Sequence, residues 1–156
     1  MSVEPIPPGY HAVTPYLIVH DAPAAIEFYT RAFHATELTR LADPAGRIHH
    51  AEIEIGDSRI MLADEFPERH IRGPKSLGGT AVIIHLYVED VDAVAARATA
   101  AGARMIRPVA DQFFGDRNGM LEDPFGHTWA VSTHVEDVSD AEVRRRAAAQ
   151  MAPSAP

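Results

Sequence analysis

The side chains with chemical potential fall mainly on two alternating strands. In IHHAEIEI, Ile48–Ile55, one side of the strand carries His50, Glu52 and Glu54, and the other carries Ala51, Ile53 and Ile55. His85 interrupts a second apolar alternation, IIHLYV, with Leu86 and Val88 on the opposite side. Two imidazoles and a carboxylate can hold iron, or a catalytic zinc with an open position. They can equally act as acid–base groups, an imidazole with a neighbouring carboxylate being suited to proton abstraction beside a carbonyl. His50, Glu52 and His85 are therefore the candidate catalytic residues, and the candidate ligands of a divalent metal at a non-standard site. The alternative is a solvated strand face with His85 as a hydrogen-bonded residue. Nothing in the spacing forces the three to converge, and HHAE lacks the HExxH pattern and its helical geometry.

Binding residues are sought around that set. Tyr16 and Tyr87 share the parity of the histidine side and are stacking candidates. In DQFFGDR, Asp111–Arg117, Phe114 is placed to stack a flat ligand and Arg117 to clasp a carboxylate or phosphate with both guanidinium arms. The competing reading ties Arg117 to its own loop through Asp111 or Asp116. Trp129 falls by parity on the opposite side of its strand, as a core residue.

The elements that position these residues come from an internal repeat. YLIVHDAPAAIEFYTRAF from Tyr16 and HLYVEDVDAVAARATAAG from His85 share an alternating strand, an Asp and a helical pattern, at an offset of 69 residues. Ala22, Ala25, Ile26, Tyr29 and Phe33 form one helical stripe; Val91, Val94, Ala95, Ala98 and Ala101 form the other. Asp21 and Asp90 are the expected N-caps. The first helix runs out at His34 and the second at Gly102, where a left-handed residue is expected. Three strands are predicted after each helix: Thr36–Leu41, Ile48–Ile55 and Arg59–Asp64, then Arg104–Pro108, Gly119–Glu122 after an irregular Phe113–Asn118, and His127–Thr133. The pattern is α+β: two tandem βαβββ modules forming a curved mixed sheet around a cavity, plus a short C-terminal helix opened by the Ser139/Glu142 capping box. Residues 10–146 make one domain, with module one at 12–64, module two at 80–134 and the C-terminal helix at 139–149. Residues 65–79, with two Pro and three Gly, are a linker or lid. Residues 1–9 and 150–156 are flexible tails.

Composition excludes several classes. A formal charge of −8 opposes nucleic acid and an anionic membrane surface. No cysteine is present, so disulfides, thiolate catalysis and cysteine zinc sites are out. MSVEPIPPGYHAV has neither the basic nor the apolar region of a signal peptide, so a soluble cytoplasmic protein is expected. Gly73-Pro74-Lys75-Ser76 lacks the rest of a P-loop, and neither G-x-S-x-G nor G-x-G-x-x-G occurs.

The duplicated pattern, the AIEFY helix, the DPFGH turn and the TPYL opening resemble the vicinal oxygen chelate superfamily of glyoxalase I, bleomycin-resistance proteins and extradiol dioxygenases. TPYLIV, GDSRIMLADE, LYVEDVDAV and DQFFGDR are similar to its PhnB-like branch. The resemblance implies sheets with a helix-covered convex face and a concave face lining a cavity for a small organic molecule, often in a homodimer. It also implies metal ligands on the first, fourth, fifth and eighth strands. Counted from the helices and turns, those positions are Thr14, Met61, Ile83 and Ala130, or, shifted by two, Tyr16, Ala63, His85 and Ser132. The first set holds no good ligand and the second one, so glyoxalase I activity does not carry over. Beside a structural or interaction domain with a vestigial cavity, two functions stay open. One is a lyase, isomerase or epimerase using His50, Glu52 and His85. The other is a bleomycin-resistance-like protein that sequesters an aromatic or cationic compound on Tyr16, Tyr87 and Phe114 without turnover, the acidic charge favouring a cation.

Overall fold

The computed structural model describes residues 3–152. Residues 1–2 and 153–156 of the expected tails lie outside the described residues. The first module runs β1 (Tyr16–Val19), α1 (Ala22–Phe33), β2 (Thr36–Ala42), β3 (Ile48–Ile55) and β4 (Ser58–Asp64). A 3-10 turn, Pro67–Arg69, and α2 (Pro74–Leu77) follow. The second module runs β5 (Ile83–Tyr87), α3 (Val91–Ala100), β6 (Arg104–Asp111), β7 (Asp116–Glu122) and β8 (Thr128–His134), and α4 (Asp140–Met151) ends the described chain.

Each module forms its own four-stranded sheet, in the orders β1-β4-β3-β2 and β5-β8-β7-β6, with the first pair of each parallel and the others antiparallel. The two sheets do not pair with one another. The module pattern is as the repeat predicts, and within one chain the two four-stranded mixed sheets meet through their helices. The reason is apolar surface. Both helices bury their striped faces, and Tyr29 and Phe33 of α1 reach Trp129 of β8, with ring centroids 5.5 and 4.7 Å apart. One core results, in which Val19, Ile53, Leu62, Trp129 and Val131 from both sheets are buried. The opposite sheet faces are left open.

Local chemistry sets the element ends. Asp21 and Asp90 cap their helices, accepting from the N–H of Ala24 (3.1 Å) and Ala93 (3.0 Å). His34 takes the left-handed conformation at the end of α1, with φ 56°. Strand β7 begins at Asp116, not Gly119. Its polar residues pair normally with β8, Asn118 opposite Ser132, so only Phe113–Gly115 form the turn. Strand β6 continues past Pro108 to Asp111, because it lies at the sheet edge and its register slips between Arg107 and Ala110. The linker carries the short turn and α2, whose Pro74 is buried close to Gly126.

Candidate functional site

Module one builds a polar chain on its open face. Residues Tyr16, Met61 and Glu52 lie side by side across β1, β4 and β3. The Tyr16 hydroxyl and Nδ1 of His50 are 2.8 Å apart, and His50 Nε2 lies 3.0 Å from Glu52 Oε1. With Nε2–H donated to the carboxylate, Nδ1 is the acceptor for the Tyr16 O–H. The N-terminal segment, expected as a tail up to residue 9, folds over this face: Ile6, Pro7, Tyr10 and Thr14 enclose a pocket of about 430 Å³ with Glu52 and Met61. Tyr10 stacks under the Arg59 guanidinium, 4.7 Å from the ring centroid. Its hydroxyl is buried beside Glu52 without a hydrogen bond of good geometry. The Tyr10 hydroxyl and His50 hold the Glu52 carboxyl below the usual carboxylate range. Burial, then the negative field of Glu52, pushes the Tyr16 phenol up, so it stays a neutral donor.

Module two carries a separate network. His85 faces Ala130, with Met120 and Arg107 beyond it in the same row. Its Nε2 lies 2.8 Å from the Ser132 hydroxyl, which also accepts from the Asn118 amide at 2.6 Å. Arg107 in turn donates to the Asn118 side-chain oxygen. Tyr87 tilts against His85 at 4.8 Å and donates through its hydroxyl to the buried carboxylate of Asp116 at 2.8 Å. Asp116 also pairs with His134 at 2.8 Å. Asn118 carries no mark in the sequence, since a polar residue within a short apolar strand gives no periodic signal of its own, while Asp116 and Ser132 enter there only as a loop partner of Arg117 and as a shifted ligand position.

The three candidate catalytic residues His50, Glu52 and His85 are not brought together within one chain. His50 and Glu52 are joined on the first sheet, while His85 belongs to the second. No group of three His, Asp or Glu side chains able to hold a metal occurs among the described residues. The family metal positions fit no better. Cross-strand pairing takes Met61 and Ala130 from the first counted set and Tyr16 and His85 from the set shifted by two, Tyr16 beside Met61 and His85 beside Ala130, with one imidazole among the four. A resident metal therefore does not fit this chain's own donor set.

Arg117 is held by carboxylates of its own chain, as the second of its two readings has it. Strand parity turns it to the helix side of β7. There it clasps Asp92 of α3 at 2.7 and 2.9 Å and reaches Asp111 at 3.1 Å. Of the loop partners considered, Asp111 is used and Asp116 is not, and the guanidinium is spent on structure. Phe114 stays exposed at the β6–β7 turn, edge-on to Phe113 at 5.3 Å. Trp129 is fully buried, and its indole N–H donates to Asp123.

Comparison with known proteins agrees with this architecture. Residues 10–131 match the family described as Glyoxalase/Bleomycin resistance protein/Dioxygenase superfamily. An uncharacterized protein of Mycobacterium bovis is 42% identical over 153 residues, covering 96% of this chain and 97% of that one. Among solved structures, TioX from Micromonospora sp. ML1 is 28% identical with a TM-score of 0.64, over 80% of this chain and 99% of that one. A PhnB protein from Bacillus cereus, described as a putative 3-demethylubiquinone-9 3-methyltransferase, shares the fold at 19% identity and TM-score 0.62, over 79% of this chain and 99% of that one. No helix among the described residues is long and apolar enough to cross a membrane. The repeat, the paired sheets and the family match give one conclusion: this chain belongs to the glyoxalase/bleomycin resistance protein/dioxygenase superfamily.

Proposed function

We propose that this protein binds a small aromatic compound, with a preference for cations, in a cleft that two copies of the chain complete together. The observation that carries the reading is the Tyr16–His50–Glu52 chain of hydrogen bonds on an open sheet face. It offers an aromatic ring, a neutral phenol donor and an ionised carboxylate together, as recognition of a flat cation requires. The second copy is argued from exposure. Tyr16 is 47% exposed, Ile83 53% and Tyr87 61% on edge strands β1 and β5, more aromatic and apolar surface than an edge leaves uncovered without reason. Facing the Tyr16 face of one chain with the Tyr87 face of another gives a walled cleft and brings His85 toward His50 and Glu52.

The test uses two variants. Aromatic cations such as benzyltrimethylammonium should raise the melting temperature of the native protein, and Tyr16→Ala or Tyr87→Ala should each abolish the rise. Co-refolding the two variants should restore part of it, because mixed dimers then contain one unmutated cleft. Failure of the mixture to recover any binding would sink the shared cleft.

A second reading, a lyase, isomerase or epimerase, is supported by the same chain. Glu52 orients His50, and His50 takes or returns a proton through the Tyr16 hydroxyl, beside a carbonyl-bearing substrate. Solvent deuterium incorporation next to the carbonyl of small keto acids, followed by NMR and lost on His50→Gln, distinguishes this from sequestration.

A further inference from the structure

We infer that the groove between the two modules, on the side of α3, is a second binding site that takes a small aromatic carboxylate. It meets the open face of the second sheet at Tyr87 and His134, and the internal repeat locates it. Phe125, in the β7–β8 turn, is buried against His20, Phe28 and Tyr29, with ring centroids 5.4, 6.3 and 6.4 Å away. Its benzyl side chain plugs the space between that turn and α1. At the 69-residue offset, the wall residues His20, Phe28 and Tyr29 correspond to Glu89, Arg97 and Ala98, and the plug itself corresponds to Gly56. The β3–β4 turn is the tight pair Gly56-Asp57, with Gly56 at φ 59° and nothing within 4 Å of where its side chain would begin. One side of the repeat is plugged and the other is empty.

The empty side is a groove of about 860 Å³, with Phe33, Ile55, Leu86, Val88 and Val94 as apolar walls and Arg97 among them. The Arg97 Nε–H is buried without a partner, and Arg97 joins none of the ion pairs among the described residues. Arg97 lines the groove and makes no side-chain hydrogen bond among the described residues, so its guanidinium is available to an acceptor from outside. The guanidinium fork matches a carboxylate with two parallel bonds. Glu89 and Asp90 at the same groove oppose a dianion such as a phosphate monoester, leaving a single negative charge as the fit. Phe125 itself supplies the template for the apolar part: a benzyl group fills the corresponding space on the other side.

The test follows the amide signals of the full chain by NMR during titration with phenylacetate, benzyl alcohol and benzylamine. Phenylacetate should move Gly56, Val94 and the Arg97 Nε–H saturably, and the neutral and cationic analogues should bind at least about tenfold more weakly, as loss of a charge-assisted pair implies. Arg97→Met should weaken phenylacetate by a similar factor, and Arg97→Lys, which keeps the charge without the fork, should fall between. Tyr16→Ala should leave the titration unchanged, which separates this site from the cleft proposed above. The inference is overturned if phenylacetate causes no saturable shift, if it binds Arg97→Met as well as the native chain, or if the shifts map to Tyr16 and Glu52 instead.

Discussion

The Tyr29 hydroxyl donates to Asp123 Oδ2 across 2.6 Å, fastening helix α1 of the first module to the β7–β8 turn of the second. Asp123 also accepts from the Trp129 indole at 2.9 Å and from the backbone N–H of Phe125 and His127 at 2.9 and 3.0 Å. Four donors satisfy a carboxylate that is 2% exposed. Burial, then the negative charge of Asp123, pushes the Tyr29 phenol well up, so it remains a donor at any ordinary pH.

This junction should dominate stability. Tyr29→Phe removes one donor to a charged acceptor and should cost about 1.5–3 kcal/mol. Asp123→Ala strands the phenol, the indole and two turn amides, and should cost more, roughly 3–5 kcal/mol. Urea unfolding of the two variants gives the comparison; an Asp123→Ala loss no greater than that of Tyr29→Phe contradicts the assignment.

Helix entry is secured from the last strand of each module, but with different chemistry. Asp64 accepts from the N–H of Ala22 and of Ile48, both at 2.7 Å. Its counterpart Thr133 accepts from the Val91 N–H at 2.9 Å and donates to the Val88 carbonyl. Removing the buried charged acceptor should cost more than removing the hydroxyl. Asp64→Ala is expected to lose about 2–3 kcal/mol and Thr133→Val about 1 kcal/mol. Amide exchange at Ala22 and Ile48 should accelerate in the first variant only.

Stability should also depend on pH through His134. Asp137 and Asp116 raise the His134 imidazole above its ordinary value. A raised folded pKa gives stabilisation that is fully present below the unfolded value, about 6.5, and lost as pH rises through the folded one. Asp116 behaves oppositely. Burial opposes its ionisation, but hydrogen bonds from His134 and Tyr87 outweigh that and hold it low, so its contribution is lost as pH falls through the folded value. The pair is strongest between those limits. NMR titration should find His134 above the ordinary imidazole range, and His134→Gln should flatten the alkaline fall in stability. An unshifted His134 refutes the coupling.

Arg117→Ala should leave ligand binding intact. Its guanidinium is held by Asp92 and Asp111 at the helix side of β7, so the expected change is a modest drop in melting temperature that added salt diminishes. A loss of affinity without a loss of stability would return Arg117 to the ligand site.

Much of the fold was legible because its signals are local or periodic. Asp21 and Asp90 before apolar stripes are N-caps as expected, since a short carboxylate needs only its own helix for a partner. Trp129 was placed in the core by strand parity alone. The beginning of β7 was not legible: Asp116 and Asn118 look like loop residues until their partners Tyr87, His134 and Ser132 are brought alongside. Nor was the folding of Tyr10 over the first sheet, where its ring meets Arg59, a residue far along the chain.

What the sequence determined by itself is the repeat, the two βαβββ modules and the pairing of His50 with Glu52 on one strand face, because side chains two apart in a strand must share a side. Tertiary structure decided how the modules meet. Burying Tyr29, Phe33 and Trp129 together turns the helices inward and the polar sheet faces outward, which separates His85 from His50. It also gave Arg117 to Asp92 and left Arg97 unpaired, since a long guanidinium finds its partner only after packing has set what lies within reach.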